Sequence, residues 1–261
     1  MESKDQAILF EKKEDIVTLT LNRPNILNAI NLDITVQMEQ CLSRAELDED
    51  VRVIILTGNG RSFCTGADLK EVSRGVDLSN ECGGGFAGLV RSKTAKPLIA
   101  AVNGLAYGGG FEIALACDVI IAARGAQFAL PEVKRGLIAS GGGLLRLPRH
   151  LPIKVACFMA FTGLPLSAEQ LMHWGVVNQV VDSEKLMDSA YELAAVIAEN
   201  APLAVKATKQ LLMSGTELPM YTSDEAWQMN NELGRMIANS YDAKEGSTAY
   251  VERRSPVWKG R

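Results

Sequence analysis

The 261-residue chain has no excess of positive charge: 27 Lys and Arg stand against 31 Asp and Glu, a net charge of −4. Without a bulk basic field nothing recruits nucleic acid or an anionic membrane. An anionic ligand has to be held by a few local cations and by backbone N–H groups. No apolar run approaches the length of a membrane span, and the start, Met1 to Gln6, is polar with no leader-like pattern. We therefore expect a cytoplasmic protein with neither a membrane nor a nucleic-acid partner. Cys41, Cys64, Cys82, Cys117 and Cys157 are odd in number and form no CxxC pair, as suits a reducing compartment. The two histidines, His150 and His173, lie in no metal-binding motif, so no metal is expected. Gly58-Asn59-Gly60-Arg61-Ser62-Phe63 begins like a dinucleotide-binding GxGxxG but lacks the third glycine. No GxSxG nucleophile elbow occurs, and Ser140 lacks its flanking pattern. Internal repeats and low-complexity linkers are absent as well.

What is present is the composition of an ordinary globular protein, 47% hydrophobic and 22% charged, long enough for one large domain or one with an appendage. Ile8 to Phe10 and Ile16 to Leu21 alternate around Lys12 to Asp15, predicting a β-hairpin that Asn22-Arg23-Pro24 ends. Ile34, Met38, Cys41, Leu42 and Ala45 fall at helical spacing and predict a helix from Leu32 to Leu47. Val51 to Leu56, Leu98 to Val102 and Val176 to Val181 read as strands. Phe63 to Lys70 reads as a strand-to-helix junction, and residues 71–92 as a loop around Gly83-Gly84-Gly85, the most mobile part of the chain and a lining for a pocket. Ser167-Ala168-Glu169-Gln170 is a capping box with Gly175 as the C′ residue of its helix. Beyond residue 182 the chain reads as helix. Leu186, Ala190, Leu193, Ala194 and Ile197 share a face, and Pro202 opens another helix.

The chemistry concentrates between Lys96 and Glu132. Gly108-Gly109-Gly110 sits where a strand gives way to a helix, and a helix start offers unpaired N–H groups that a ligand oxygen can approach when no side chain intervenes. Gly66-Ala67 is a second such junction. Two main-chain donors converging on one oxygen form an oxyanion hole, which stabilises charge developing on a carbonyl. Glu112 is a carboxylate inside an otherwise apolar helix, costly to bury without a task or a partner. Glu132 follows after one helix and one strand, so the two can return to the same rim. A close pair in a partly dry site repels, leaving one carboxyl protonated and giving an acid and a base for one water molecule. Each piece has a plain alternative: a salt-bridged core residue for Glu112, the start of a solvated helix for Glu132, turn chemistry for Gly141-Gly142-Gly143.

Asn22-Arg23-Pro24 with Leu27-Asn28-Ala29, Gly66-Ala67-Asp68-Leu69-Lys70, Ala101-Val102-Asn103-Gly104 with Gly108-Gly109-Gly110-Phe111-Glu112, and Pro131-Glu132 occur in an order and spacing that resemble the enoyl-CoA hydratase/isomerase (crotonase) family over essentially the whole chain. The resemblance implies an α/β fold, a spiral of ββα turns with a helical C-terminal trimerisation region. It divides the chain into a core at 1–195 and an oligomerising region at 196–261, working as a homotrimer or a dimer of trimers. It implies an acyl-CoA thioester as substrate and no cofactor, coenzyme A being part of that substrate. The oxyanion hole maps to the N–H groups of Ala67 and Gly109, and the two catalytic glutamates to Glu112 and Glu132. Substrate contacts map to Asn25, Leu27, Ala29, Gly66, Asp68, Leu69, Lys70, Gly108, Pro131, Ser140, Tyr250 and Arg253.

Asn25 stands where many members carry a lysine near the CoA phosphates, and Ala139-Ser140 replaces a common Pro-Gly near the catalytic water. The resemblance makes Lys70 a phosphate contact and places Arg253, with Tyr250, where a neighbouring subunit's C-terminal segment reaches the nucleotide; a solvated surface charge is the alternative for each. Gly84-Gly85-Phe86-Ala87-Gly88-Leu89, Phe128 to Glu132, Arg146-Leu147-Pro148 and Pro256 to Arg261 look like the carnitinyl-CoA dehydratase (crotonobetainyl-CoA hydratase) branch. There Phe86, Asp77 and Glu81 are the groups of the 71–92 loop available to a quaternary ammonium. Hydration of a trans-2-enoyl-CoA, or its reverse, is the leading expectation. The alternatives are an isomerase that shuttles a proton with one glutamate and a catalytically silent scaffold.

Overall fold

The computed structural model describes residues 6–78, 83–217 and 224–261. Met1 to Asp5, Glu81 and Cys82, read above from the sequence, lie outside the described residues. The chain forms two compact units, Met1–Thr94 with Leu98–Ala194, and Ala95–Pro97 with Ala195–Arg261.

In the first unit β1 (Ile8–Lys13) pairs antiparallel with β2 (Ile16–Leu21), and Lys12 and Lys13 face Val17 and Ile16. The hairpin turn is therefore only Glu14-Asp15, shorter than expected, with Glu14 in the left-handed region at φ 54. Helix α1 (Leu32–Leu47) has the predicted bounds. The Asn31 side chain accepts from the Ile34 N–H, while Ile34, Met38, Leu42 and Ala45 bury the apolar stripe. Strand β3 (Val53–Gly58) starts two residues later than the apolar run, because the Val51 N–H turns back to the Asp48 carbonyl and the Arg52 N–H is taken by Asp15.

A repeating route then follows. β3 leads to β4 (Ser62–Cys64) and the short α2 (Leu69–Val72); β5 (Leu98–Val102) leads to β6 (Leu105–Tyr107) and α3 (Gly109–Ala116); β7 (Val119–Ala123) leads to β8 (Gln127–Ala129). The first strand of each turn enters a six-stranded sheet ordered β1-β2-β3-β5-β7-β10, with β10 at Gln179–Val181. The second strand enters a four-stranded sheet ordered β4-β6-β8-β9, with β9 at Leu166–Ser167. All pairings after β1–β2 are parallel except β8–β9. β3 and β5 are buried at every residue, which is why they read as unbroken apolar runs rather than alternating ones. This is the ββα spiral that the resemblance implies.

Two helices were not apparent from the sequence, α4 (Gly143–His150) and α5 (Ile153–Thr162); the glycines before α4 and Pro148 inside it disguise the first. Helix α6 (Ala168–His173) carries the reciprocal Ser167–Gln170 capping box, and Gly175 follows it at φ 79, as predicted. β10 is shorter than Val176 to Val181 because the Val176 and Val177 N–H groups close the end of α6 on the Leu171 carbonyl. Leu186, Ala190 and Ala194 bury one face of α7 (Leu186–Ala198).

The second unit holds α8 (Pro202–Glu217), α9 (Asp224–Ala238) and α10 (Tyr241–Glu252). The Ser240 hydroxyl caps α10 by accepting from the Ala243 N–H. Past the helix the chain folds back on it: Asp242 accepts from the Lys259 and Gly260 N–H groups, and Glu245 pairs with Arg254 at 2.6 Å.

Candidate active site

The site is built by main chain that must pass unusually close to main chain. β4 ends at Cys64, and the backbone reverses at Gly66, whose φ of 91 suits glycine. A Cβ there would lie 3.0 Å from the Gly109 nitrogen, so the two strand-to-helix junctions abut without side chains between them. Ile30 fixes this turn by donating to the Gly66 carbonyl and accepting from the Asp68 N–H, both at 2.8 Å. That leaves Ala67 between them with its N–H turned the other way. Among the described residues neither the Ala67 nor the Gly109 N–H meets a protein acceptor.

The motif around Asn28 supports the same corner. The Asn28 side chain is fully buried, accepting from the Arg23 N–H and donating to the Asn59 and Ser62 carbonyls. Gly110 sets the closeness of α3 to β4, since a Cβ on it would lie 2.6 Å from the Cys64 carbonyl carbon.

Glu112 projects from the first turn of α3 and is 4% exposed. Its Oε1 accepts from the Gly143 N–H at 2.7 Å. A Cβ on Gly141 would come within 2.6 Å of Oε2, and one on Gly143 within 2.9 Å of Cγ, so these glycines form a fitted cradle. Burial pushes the carboxyl up to about 7. The Gly143 and Gly141 N–H groups pull against this, Glu132 adds to the rise, and Arg146 opposes it.

Glu132 opens the 3-10 segment Pro131–Arg135 after β8. A Cβ on Gly108 would lie 2.8 Å from its Oε1, which brings this carboxyl over the start of α3. Its Oε2 is buried with no hydrogen-bond partner among the described residues. Burial raises this carboxyl too. An unpartnered buried carboxylate oxygen is costly unless something arrives to meet it.

Both carboxyls and both free amides line one cleft of about 1770 Å³ in the first unit. The sequence-derived residues Ala29, Gly66, Asp68, Leu69, Lys70, Gly108, Pro131 and Ser140 line it as well. Asp68 is already engaged there, accepting from the Lys70 N–H as the cap of α2 and pairing with Arg23 at 3.2 Å. Asn25 and Leu27 lie outside that lining; Asn25 is exposed, and Leu27 occupies the left-handed region at φ 57. Tyr250, 86% exposed on α10, and Arg253, just past it at φ 55, belong to the second unit.

Sequence reasoning missed several lining residues: Tyr107, Lys134, Arg135 and Arg146. Lys134 and Arg135 stand directly after Glu132, so a charge scan around that residue finds them; Arg146 was noted only within Arg146-Leu147-Pro148, and its place at the site becomes visible once the cradle is folded. Phe86, noted for its loop position, packs its ring against Gly109, where a Cβ would lie 2.5 Å from Cζ. No group of three metal-ligating side chains occurs among the described residues.

Comparison with known proteins agrees with this construction. The Enoyl-CoA hydratase/isomerase family profile matches residues 11–261. A carnitinyl-CoA dehydratase of Salmonella paratyphi B is 43% identical over 252 residues, covering 94% of this chain and 95% of that protein. The crystal structure of an enoyl-CoA hydratase from Mycobacterium marinum superposes with a TM-score of 0.94 at 42% identity, over 98% of this chain and 100% of that one. A carnitinyl-CoA hydratase from Mycobacterium avium gives 0.79 at 41% identity, over 99% and 100%. By that match over residues 11–261 and these relatives, the chain belongs to the enoyl-CoA hydratase/isomerase family.

Proposed function

We propose that this chain is a hydro-lyase that adds water across the 2,3 double bond of a trans-2-enoyl-CoA to give a 3-hydroxyacyl-CoA, and runs the reverse dehydration. The observation that carries the reading is the joint presence, in one cleft, of two unpaired main-chain donors and two carboxyls, Glu112 buried and Glu132 half-buried with its Oε2 enclosed. The thioester oxygen accepts from the Ala67 and Gly109 N–H groups, which draws electron density from C3 and stabilises the enolate-like state that follows. Glu112, braced by Gly143, accepts a proton from water as the oxygen bonds to C3. Glu132 delivers a proton to C2 from the carboxyl whose Oε2 lacks a protein partner. Water is thus divided between C3 and C2, and return of a proton from Glu112 to Glu132 restores the starting state.

Ala29, Gly66, Asp68, Leu69, Lys70, Gly108, Pro131 and Ser140 along the cleft contact the acyl-CoA, with Asn25 and Leu27 outside the lining as further contacts and Tyr250 and Arg253 as contacts supplied across an oligomer. No cofactor beyond the substrate's own CoA enters this scheme. Residues 196–261 serve assembly as a trimer or a dimer of trimers; exposed Leu212, Trp227 and Met236 on α8 and α9 support that role. A cytoplasmic location fits, and among the described residues no helix is long and apolar enough to cross a membrane. The names of the relatives make a crotonobetainyl or carnitinyl thioester the second substrate to try.

The test is incubation of purified protein with crotonyl-CoA, crotonobetainyl-CoA and medium-chain and aromatic enoyl thioesters, read by mass spectrometry. A mass gain of one water on a 2-enoyl substrate supports the proposal. Conversion of an added 3-enoyl thioester to its 2-enoyl isomer, which keeps its mass and is resolved by chromatography, without any hydration assigns the isomerase instead.

A further inference from the structure

Arg146 is a half-buried cation of the cleft wall that the reaction scheme above does not use; Arg23, the other, is paired with Asp68. It stands one turn into α4, its main-chain N–H bonded to the Gly142 carbonyl at 3.0 Å. The side chain folds back over Gly142, which lies at φ 97 and whose missing Cβ leaves room for Nη1. From there Nη2 donates to the carbonyl of Val90.

Val90 belongs to a segment closed on itself, with the Arg91 N–H bonded to the Gly84 carbonyl at 2.9 Å and the Gly88 N–H to Gly85 at 2.8 Å. That segment carries Phe86, the ring packed against Gly109. On the other side of Arg146, α4 begins at Gly143, whose N–H holds Glu112. One guanidinium therefore sits where the wall behind an amide donor meets the cradle of a carboxyl.

We propose that Arg146 is a positioning residue that holds both halves of the site in register, tying the Gly84–Arg91 segment to the start of α4 while its charge faces the Glu112 carboxylate. The inference rests on the hydratase reading for its kinetic readout only.

Charge supports the geometry. Glu112 from α3 acts on this cation, Arg149 and His150 flank it on α4, Cys117 lies at the end of α3, and Glu132 from the 3-10 segment acts on Glu112. Burial loosens the proton on the guanidinium and Glu112 tightens it, the reciprocal of the pull Arg146 exerts on Glu112. The Gly142 turn that seats Nη1 lies between Gly141 and Gly143, the two glycines that crowd the Glu112 carboxyl, so the cation stands beside the group that must be ionised to accept a proton.

The test compares wild type with Arg146→Met, Arg146→Gln and Arg146→Lys. Hydration of crotonyl-CoA is followed from pH 5.5 to 9.5, and the Glu112 carboxyl is titrated by carbon-13 NMR in the free protein, assigned with Glu112→Gln. Removing the charge is expected to lower kcat about tenfold at pH 6.5 and about threefold at pH 9, with KM changed by less than about threefold. The Glu112 midpoint moves up by about half a pH unit in Met and Gln, and Lys keeps the midpoint while restoring part of kcat. An unmoved midpoint in Met and Gln, or a loss confined to KM, overturns the proposal. If wild type hydrates none of the thioesters, the functional reading fails and the NMR midpoint still decides the role of Arg146. Should Arg146→Met not fold, Gln and Lys carry the same comparison.

Discussion

Gly108-Gly109-Gly110 and Gly141-Gly142-Gly143 are the same tripeptide at the start of two helices, yet they do opposite things with their amides. At the first, the Gly109 N–H meets no protein acceptor among the described residues and faces the cleft. At the second, the Gly143 N–H is spent on the protein's own Glu112, at 2.7 Å. Both triplets are glycine because something presses on each Cα: the Cys64 main chain on Gly110, and the Glu112 carboxyl on Gly141 and Gly143. Composition alone therefore does not separate a ligand-binding junction from a cradle. What separates them is whether a side chain of the protein already occupies the space in front of the amides.

The comparison can be broken at either triplet. The largest effect is expected from Gly110→Ala, where a Cβ presses on the immovable Cys64 backbone. Forcing α3 away from β4 should cost about 3 kcal/mol or more, measured by chemical denaturation, and should abolish hydration together with thioester binding. Gly143→Ala presses instead on the Cγ of Glu112, a side chain that can give. It should lower kcat by about ten- to a hundredfold, leave thioester affinity nearly unchanged, and shift the rising limb of the pH profile upward as the N–H bond to Glu112 loosens.

A cleaner effect concerns stability alone. Glu112 is raised to about 7 by burial, well above its value in the unfolded chain. Its penalty is absent below about pH 4.5, grows as the unfolded chain ionises first, and is complete above about pH 7. The wild type should thus lose about 3 kcal/mol relative to Glu112→Gln between pH 4 and pH 8, read from paired denaturation curves. Equal curves across that range would mean that the carboxyl is not desolvated as the cradle requires. The smallest effect belongs to Asp68→Asn, which keeps the cap of α2 but gives up the ion pair with Arg23; about 0.5 kcal/mol of stability is expected to go.

Much of this was legible in the sequence for identifiable reasons. α1 has its predicted bounds because its apolar spacing, its Asn31 cap and its solvated face all agree. The capping box at Ser167 is legible because it is local. Glu112 stood out because a carboxylate among Phe111, Ile113 and Leu115 is expensive wherever it folds. For the second triplet turn chemistry stood open as an alternative, because its contact with residue 112 is one that no local pattern encodes. The same holds for Arg146, whose partners are Val90 and Glu112, and for α4, which starts from glycines and contains a proline.

The central claim is that Glu112 and Glu132 divide one water between C3 and C2 while the Ala67 and Gly109 amides hold the thioester oxygen. The most direct measurement is crotonyl-CoA hydration by Glu132→Gln and Glu112→Gln alongside their affinity for a saturated acyl-CoA. The account predicts that kcat falls by about 10²- to 10⁴-fold in each while affinity stays within about threefold of wild type. Turnover near the wild-type rate in either variant would contradict it.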